Sequence, residues 1–426
     1  MTFEHLSLIA PILRALREGG YEKPTPIQSG AIPHALAGRD ILGLAQTGTG
    51  KTAAFALPIL QLLSAGQPAA ARAPKALILA PTRELAIQIN QSFIKYGRNL
   101  RLKTAVIYGG VGQGPQAHAL ARGVDILVAT PGRLMDLMGQ RLVTLNRVEF
   151  LILDEADRML DMGFIRDVEK IVAALPRKRQ SFFFSATMPP AVERLAAELL
   201  ADPATVSVSP VSAPAERIDQ KVMFVGRDSK DALLAALLKD QSIYRMLVFT
   251  KTKHKANRVA EKLVRGKISA EAIHGNKSQG ARQRALQNFV KGSTRVLVAT
   301  DIAARGIDIT GISHVVNFEL PNEPESYVHR IGRTARAGAG GVAISFCDKD
   351  EREYLRAIER VIRAPIAMDD SHPFHCAETA AARSGGVAPR PSNGGGCRRN
   401  ARPAYAARNG RGAGGYARRE SRQRWN

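Results

Sequence analysis

Cysteine is scarce in this chain. The three present, Cys347, Cys376 and Cys397, supply no disulfide framework, so a reducing cytoplasm is the expected compartment. Long apolar runs are missing too: none approaches the roughly 18 residues that a membrane-spanning helix needs. The opening Met1-Thr2-Phe3-Glu4-His5 lacks the basic-then-apolar layout of a secretory leader. Acidic residues are outnumbered, 38 Asp and Glu against 61 Lys and Arg, which leaves a net charge of +23 and an isoelectric point of 10.4. Such an excess selects a polyanionic partner, nucleic acid first and an anionic membrane surface second.

What is present reads as globular, with 45% hydrophobic and 23% charged residues. At 426 residues the chain exceeds one ordinary core and suits two domains with an extension. Residues 1–205 alternate short apolar runs with amphipathic stretches, the mark of stacked strand–helix units. The clearest strands are expected at 76–80, 125–129, 150–153 and 181–184. The pattern stops over 206–216, a Ser/Pro segment expected to be a linker. Alternation resumes over 217–365, with strands expected at 221–225, 246–249, 295–299, 314–318 and 342–346. Residues 366–426 are expected to form a disordered basic tail. Within 377–426, eleven arginines against Glu378 and Glu420 give +9, with Tyr405, Tyr416 and the lone Trp425 scattered among glycine and alanine.

Two motifs say what the chain consumes. Gly48-Thr49-Gly50-Lys51-Thr52 is a phosphate loop, in which backbone N–H groups from Thr47 to Thr52 cradle phosphates at a helix N-terminus. Lys51 would neutralise the β- and γ-phosphates, and the Thr52 hydroxyl would ligate Mg²⁺. Ala45 stands where the general pattern begins with glycine. Downstream, Asp154-Glu155-Ala156-Asp157 closes the apolar run Phe150–Leu153. Asp154 would hold the Mg²⁺ shell and Glu155 would orient or deprotonate the attacking water. Alone, the acidic pair suits a helix N-terminus equally well. In this order, the two motifs read as an NTP-hydrolysing machine.

Further polar clusters follow the expected strands, where ligands gather in open parallel sheets. They are Pro81-Thr82-Arg83-Glu84-Leu85, Thr130-Pro131-Gly132-Arg133, Ser185-Ala186-Thr187, Thr250 and Thr300-Asp301. Gly20–Gln28 supplies an aromatic face at Tyr21 and, at Gln28, an amide that both donates and accepts, as an adenine edge requires, although taken alone the segment reads as a proline-rich turn. Arg333 and Arg336 are three apart, hence on one helical face. They suit a solvated basic helix or a pair of arginine fingers, the latter worth ~10³–10⁵ in rate.

Taken together, Gly20–Gln28, Ala45–Thr52, Pro81–Leu85, Thr130–Arg133, Asp154–Asp157, Ser185–Thr187, Ala299–Asp308 and His329–Arg336 resemble the ordered motifs of DEAD-box RNA helicases. The likeness covers roughly residues 3 to 346. Thr252-Lys253-His254 and His274–Arg282 are similar to the bacterial RhlE-type branch. The resemblance implies two tandem RecA-like α/β domains with parallel sheets, closing over ATP, Mg²⁺ and single-stranded RNA. It implies an adenine pocket of Phe3, Tyr21 and Gln28, a ribose contact at Asp308, and Ser185 and Thr187 coupling hydrolysis to strand separation. Arg333 and Arg336 would complete the ATP site. RNA contacts would come from Arg83, Gly110, Thr130 and Arg133, and from Thr250, Gly275, Arg282, Thr300 and Asp301. Local opening of short RNA duplexes by a cytoplasmic monomer is expected, with ribosome-assembly or RNA-degradation complexes as partner classes. The sequence does not separate a helicase from an ATP-gated RNA clamp or an annealing chaperone. The tail is expected to tether RNA.

Overall fold

The computed structural model describes residues 2–46, 48–208, 218–304, 309, 311–335 and 340–381. Among these lie two parallel sheets of seven strands each. The first contains β1 (Ile41–Leu44), β2 (Ala76–Leu79), β3 (Thr104–Ile107), β4 (Ile126–Ala129), β5 (Phe150–Leu153), β6 (Gln180–Ser185) and β7 (Ala204–Ser207). Their spatial order is β3-β4-β2-β5-β6-β1-β7. The second contains β8 (Ile218–Phe224), β9 (Met246–Thr250), β10 (Ala270–Ile273), β11 (Val296–Thr300), β12 (His314–Asn317), β13 (Gly341–Cys347) and β14 (Ala367–Met368). Its order, β10-β11-β9-β12-β13-β8-β14, repeats the first strand for strand.

The continuous apolar runs explain both sheets. A strand buried on both faces needs no polar alternation, and period two sends successive side chains to opposite layers. Ile78, Val128 and Ile152 accordingly join one core, with Phe55 and Phe93 from helices Lys51–Ser64 and Arg83–Tyr96. Leu77, Leu79, Leu151 and Leu153 join the core on the other face. The second sheet repeats the division: Met246, Val248, Val296 and Val298 face one layer, and Leu247, Phe249, Leu297 and Ala299 the other. Among the described residues, no helix is long and apolar enough to cross a membrane.

Two expected boundaries shift. Val206 and Ser207, assigned to the linker, belong to β7 and pair with Gly43 and Leu44 of β1. Polar serines do not end a strand whose backbone still has a neighbour to bond. Residues 366–381, assigned to the tail, carry structure. Ile366 is buried in the second domain, β14 pairs with β8, and a helix spans Ala377–Ala381. The backbone N–H of Asp369 donates to the Val222 carbonyl at 2.9 Å, extending the sheet edge. Thr47, Asp308, Arg336, most of the expected linker and the chain from 382 onward lie outside the described residues.

Candidate functional site

The phosphate loop runs from the end of β1 to helix Lys51–Ser64. Gly48 and Gly50 have φ of 88° and 92°, a left-handed backbone that glycine adopts without steric cost. A Cβ at Gly50 would stand 2.4 Å from Gln28 Nε2, so this glycine is also required by close approach. Gln28 Nε2 donates to the Gly50 carbonyl at 3.0 Å, and Gln28 Oε1 accepts from the Thr25 backbone at 3.0 Å. The amide expected to read adenine therefore caps its own helix and braces the phosphate loop. Thr49 Oγ1 donates to the Gln46 carbonyl at 2.8 Å, closing the turn.

Lys51 and Asp154 meet beneath this loop, 5% and 2% exposed. Lys51 Nζ and Asp154 Oδ1 are 4.0 Å apart, too far for a hydrogen bond, and each is buried without a hydrogen-bond partner. Burial pushes the Asp154 carboxyl up to about 6; Lys51 opposes this, while Glu155 and Asp157 add to it. A buried ammonium and carboxylate left open cost stability unless something fills the gap. Hard oxygens on Asp154 and Thr52 match Mg²⁺, and the lysine matches phosphate, so the residues fit a Mg²⁺–nucleotide.

Glu155 has φ of 56°, a left-handed conformation disfavoured for a residue with a Cβ. Its Oε2 accepts from Arg158 Nη1 at 2.8 Å in a pair almost wholly buried. Asp157 faces the other way. Its Oδ2 accepts from the backbone N–H groups of Ala186 and Thr187 and from Thr187 Oγ1 at 3.0 Å. Ser185 Oγ accepts from the Asp157 N–H at 3.3 Å and donates to the Thr187 carbonyl at 2.7 Å. The acidic motif and the coupling motif thus form one network across the ends of β5 and β6.

A cavity of about 390 Å³ opens beside the phosphate loop, lined by Tyr21, Lys51, Thr52, Lys95, Asp154 and Glu155 among others. That is the size of a small-molecule site. Tyr21 meets Tyr96 edge-on, and Lys95 Nζ lies 4.6 Å from the Tyr21 ring centre. Phe3, expected against adenine, is buried in the first-domain core. Across the domain boundary, a smaller cavity of about 200 Å³ brings Gln46, Arg158 and Thr187 opposite His329 and Arg333. Arg333 is 4% exposed, and its Nε donates to the His329 carbonyl at 3.3 Å.

A third cavity, about 480 Å³, gathers Arg83, Thr130, Arg133, Gly275 and Arg282 between the two sheets. A Cβ at Gly110, which has φ of 78°, would fall 2.0 Å from Arg83 Nη1; the glycine makes room for that guanidinium. Thr130 begins helix Pro131–Gly139, and Arg133 Nη2 donates to the Val111 carbonyl at 3.1 Å. Thr250 and Thr300 are register partners on β9 and β11. Asp301 gives both carboxylate oxygens to Arg330, at 2.6 and 2.7 Å. Arg282 Nη2 lies 3.0 Å from Glu84 Oε1, which also accepts from Gln279 Nε2 at 3.0 Å.

Glu84, Gln279 and Arg330 lie inside motifs the sequence singled out, but their roles as partners of Arg282 and Asp301 were not legible there. Sequence reasoning also passed over Arg158, although a basic residue three positions after Glu155 on an expected helix is a legible pairing signal.

The model of the DEAD/DEAH box helicase family matches residues 25–195, and that of the helicase conserved C-terminal domain matches residues 229–338. DEAD-box ATP-dependent RNA helicase CshA of Bacillus subtilis is 43% identical over 363 residues, 85% of this chain and 73% of that protein. ATP-dependent RNA helicase DeaD of Mycobacterium tuberculosis is 46% identical over 366 residues, 86% of this chain and 64% of that one. Among solved structures, S. cerevisiae Dbp5 bound to RNA and ADP BeF3 aligns with a TM-score of 0.75 and 32% identity, covering 86% of this chain and 94% of Dbp5. A phosphate loop, an acidic strand end and a second domain of matching topology, joined to this identity along most of both chains, settle the family: this chain belongs to the DEAD-box ATP-dependent RNA helicases.

Proposed function

We propose that this chain hydrolyses ATP in an RNA-dependent way and uses the cycle to open short RNA duplexes locally. One observation carries the reading. Lys51 Nζ and Asp154 Oδ1 are buried on the first domain without a hydrogen-bond partner, while Arg333 of the second domain shares a cavity with Gln46, beside the phosphate loop, and with Arg158, the partner of Glu155. A site left open on one domain and finished by the other is what closure-gated hydrolysis requires.

Lys51 and the loop amides hold the phosphates, and Thr52 and Asp154 hold the metal. Bound Mg²⁺ neutralises charge on the phosphate oxygens. Glu155 orients the attacking water, Arg333 stabilises charge on the transferred phosphoryl group, and Arg336 and Asp308 extend the second domain's share. Tyr21 stacks on the base. Arg83, Thr130, Arg133, Thr250, Gly275 and Thr300 line the RNA path, where backbone amides and a few guanidiniums suit sugar–phosphate binding without base readout. Asp157, Ser185 and Thr187 transmit the state of the ATP site to that path. ATP and RNA both favour the closed form, so each raises affinity for the other.

The RhlE-type assignment rests on Thr252-Lys253-His254 and His274–Arg282, whereas the relatives described above are CshA and DeaD. The basic C-terminal residues tether RNA, and the enzyme works as a cytoplasmic monomer that joins ribosome-assembly or RNA-degradation complexes. Steady-state ATP hydrolysis with no nucleic acid, with single-stranded RNA and with matched DNA tests the core claim. Stimulation by RNA alone is expected; equal stimulation by DNA, or full activity with neither, overturns it.

A further inference from the structure

The open and the occupied groups of the ATP site divide unequally. Lys51 Nζ and Asp154 Oδ1, which face a nucleotide's phosphates and metal, have no hydrogen-bond partner. Glu155, which faces the water, is held: Arg158 Nη1 donates to its Oε2 at 2.8 Å, with the two side chains 6% and 3% exposed. A carboxylate oxygen engaged by a buried guanidinium is turned toward that partner and is not offered to a water. The backbone reinforces the hold. Glu155 has φ of 56° and opens helix Ala156–Asp161, so its direction is set by that strained turn and by the i, i+3 partner on the helix it starts.

Arg158 also faces the second domain. It lines the 200 Å³ cavity with Gln46 and Thr187 on its own side and with His329 and Arg333 opposite. It lines a neighbouring cavity with Asp301 and Arg330. Glu325 lines the same cavity, and the two guanidiniums beside it suit a phosphate. A phosphate entering there would attract both and compete with Glu155 for Arg158.

We infer that Arg158 is a positioning residue that withholds Glu155 from the attacking water until a phosphate and Arg333 come together in the cavity between the domains. The inference rests on the proposed role of Glu155. It makes the arginine that follows the acidic motif the device that keeps hydrolysis dependent on domain closure, and hence on RNA.

The test is Arg158→Gln in the full chain, with Arg158→Lys beside it. Hydrolysis without RNA should rise by about tenfold in Arg158→Gln, the worth of one buried charge-assisted hydrogen bond, and the factor of stimulation by RNA should shrink. Arg158→Lys, which keeps an ion pair, should fall between Gln and wild type. Binding of a fluorescent ADP analogue should stay within about twofold of wild type, since ADP lacks the transferred phosphate that draws on Arg158 and Arg333. Rates that are unchanged, or that fall in parallel with and without RNA, overturn the inference. So does loss of ADP binding, which marks a structural support. Glu155→Gln, measured alongside, separates the two claims: hydrolysis retained there removes the role of Glu155 itself.

Discussion

Glu84 of the first domain and Arg282 of the second form an ion pair of 3.0 Å across the cleft, 4% and 10% exposed at their side chains. Burial lowers the Arg282 pKa and Glu84 opposes that shift, so the pair compensates part of its own desolvation. Gln279 shares the same carboxylate oxygen. These contacts exist only when the domains are together. Glu84→Ala should therefore weaken RNA binding in the presence of a non-hydrolysable ATP analogue by about 3 kcal/mol, roughly a hundredfold. RNA affinity without nucleotide should change little. Titrating labelled RNA with and without the analogue checks both halves.

The ATP site separates binding from chemistry. Lys51→Ala removes the buried ammonium 4.0 Å from Asp154 and leaves that carboxylate alone, so nucleotide binding and hydrolysis should both be lost. Glu155→Gln keeps the shape and removes the base. Nucleotide and RNA should still bind, in a long-lived complex, while kcat falls by about 10²–10⁴. Equilibrium binding beside single-turnover hydrolysis distinguishes the two.

Arg330, in helix Pro324–Ile331 of the second domain, is 2% exposed. It donates to both oxygens of Asp301, to Asn317 Oδ1 at 3.1 Å and to the Glu319 carbonyl at 2.7 Å, and it lies over the Phe249 ring. Arg330→Ala leaves Asp301, whose side chain is 30% exposed, and the buried Asn317 without this guanidinium, and should destabilise the second domain by about 1–3 kcal/mol. Urea unfolding of wild type and variant gives the difference directly.

His274 is 2% exposed, and its Nε2 pairs with Asn257 Oδ1 at 2.9 Å. Burial lowers its pKa below the ordinary 6.5, and Lys277, Lys253, Arg282 and His254 push the same way. The folded ring therefore resists a proton that the unfolded ring accepts at about 6.5. Its stability contribution is complete above that pH and declines as pH falls through it. Unfolding midpoints from about pH 7.5 to about 5.5 should drop, and His274→Asn should flatten the slope.

The sequence exposed the central strands almost to the residue: 150–153 is β5, and 181–184 falls inside Gln180–Ser185. Those strands are buried on both faces, and their apolar runs advertise it. The outer strands were harder. Thr104–Ile107, Ala204–Ser207 and Ala270–Ile273 are only part-buried, so their composition does not differ from that of loops. The site divides the same way. Lys51, Asp154 and Arg333 announce themselves by motif, but the partners that fix them do not. Glu84 and Gln279 lie 195 positions apart, a separation over which no local pattern runs. Gln28 fits an adenine edge by type, yet only coordinates reveal that its amide already holds Thr25 and Gly50.

The identical strand order of the two sheets has a consequence for control. Strand ends of the two copies meet, so the cavity at Arg83 and Thr130 and the cavity at Gln46 and Arg333 both take lining residues from each copy. Under the proposed function the molecule would act as a coincidence detector, registering a signal when both inputs arrive at once.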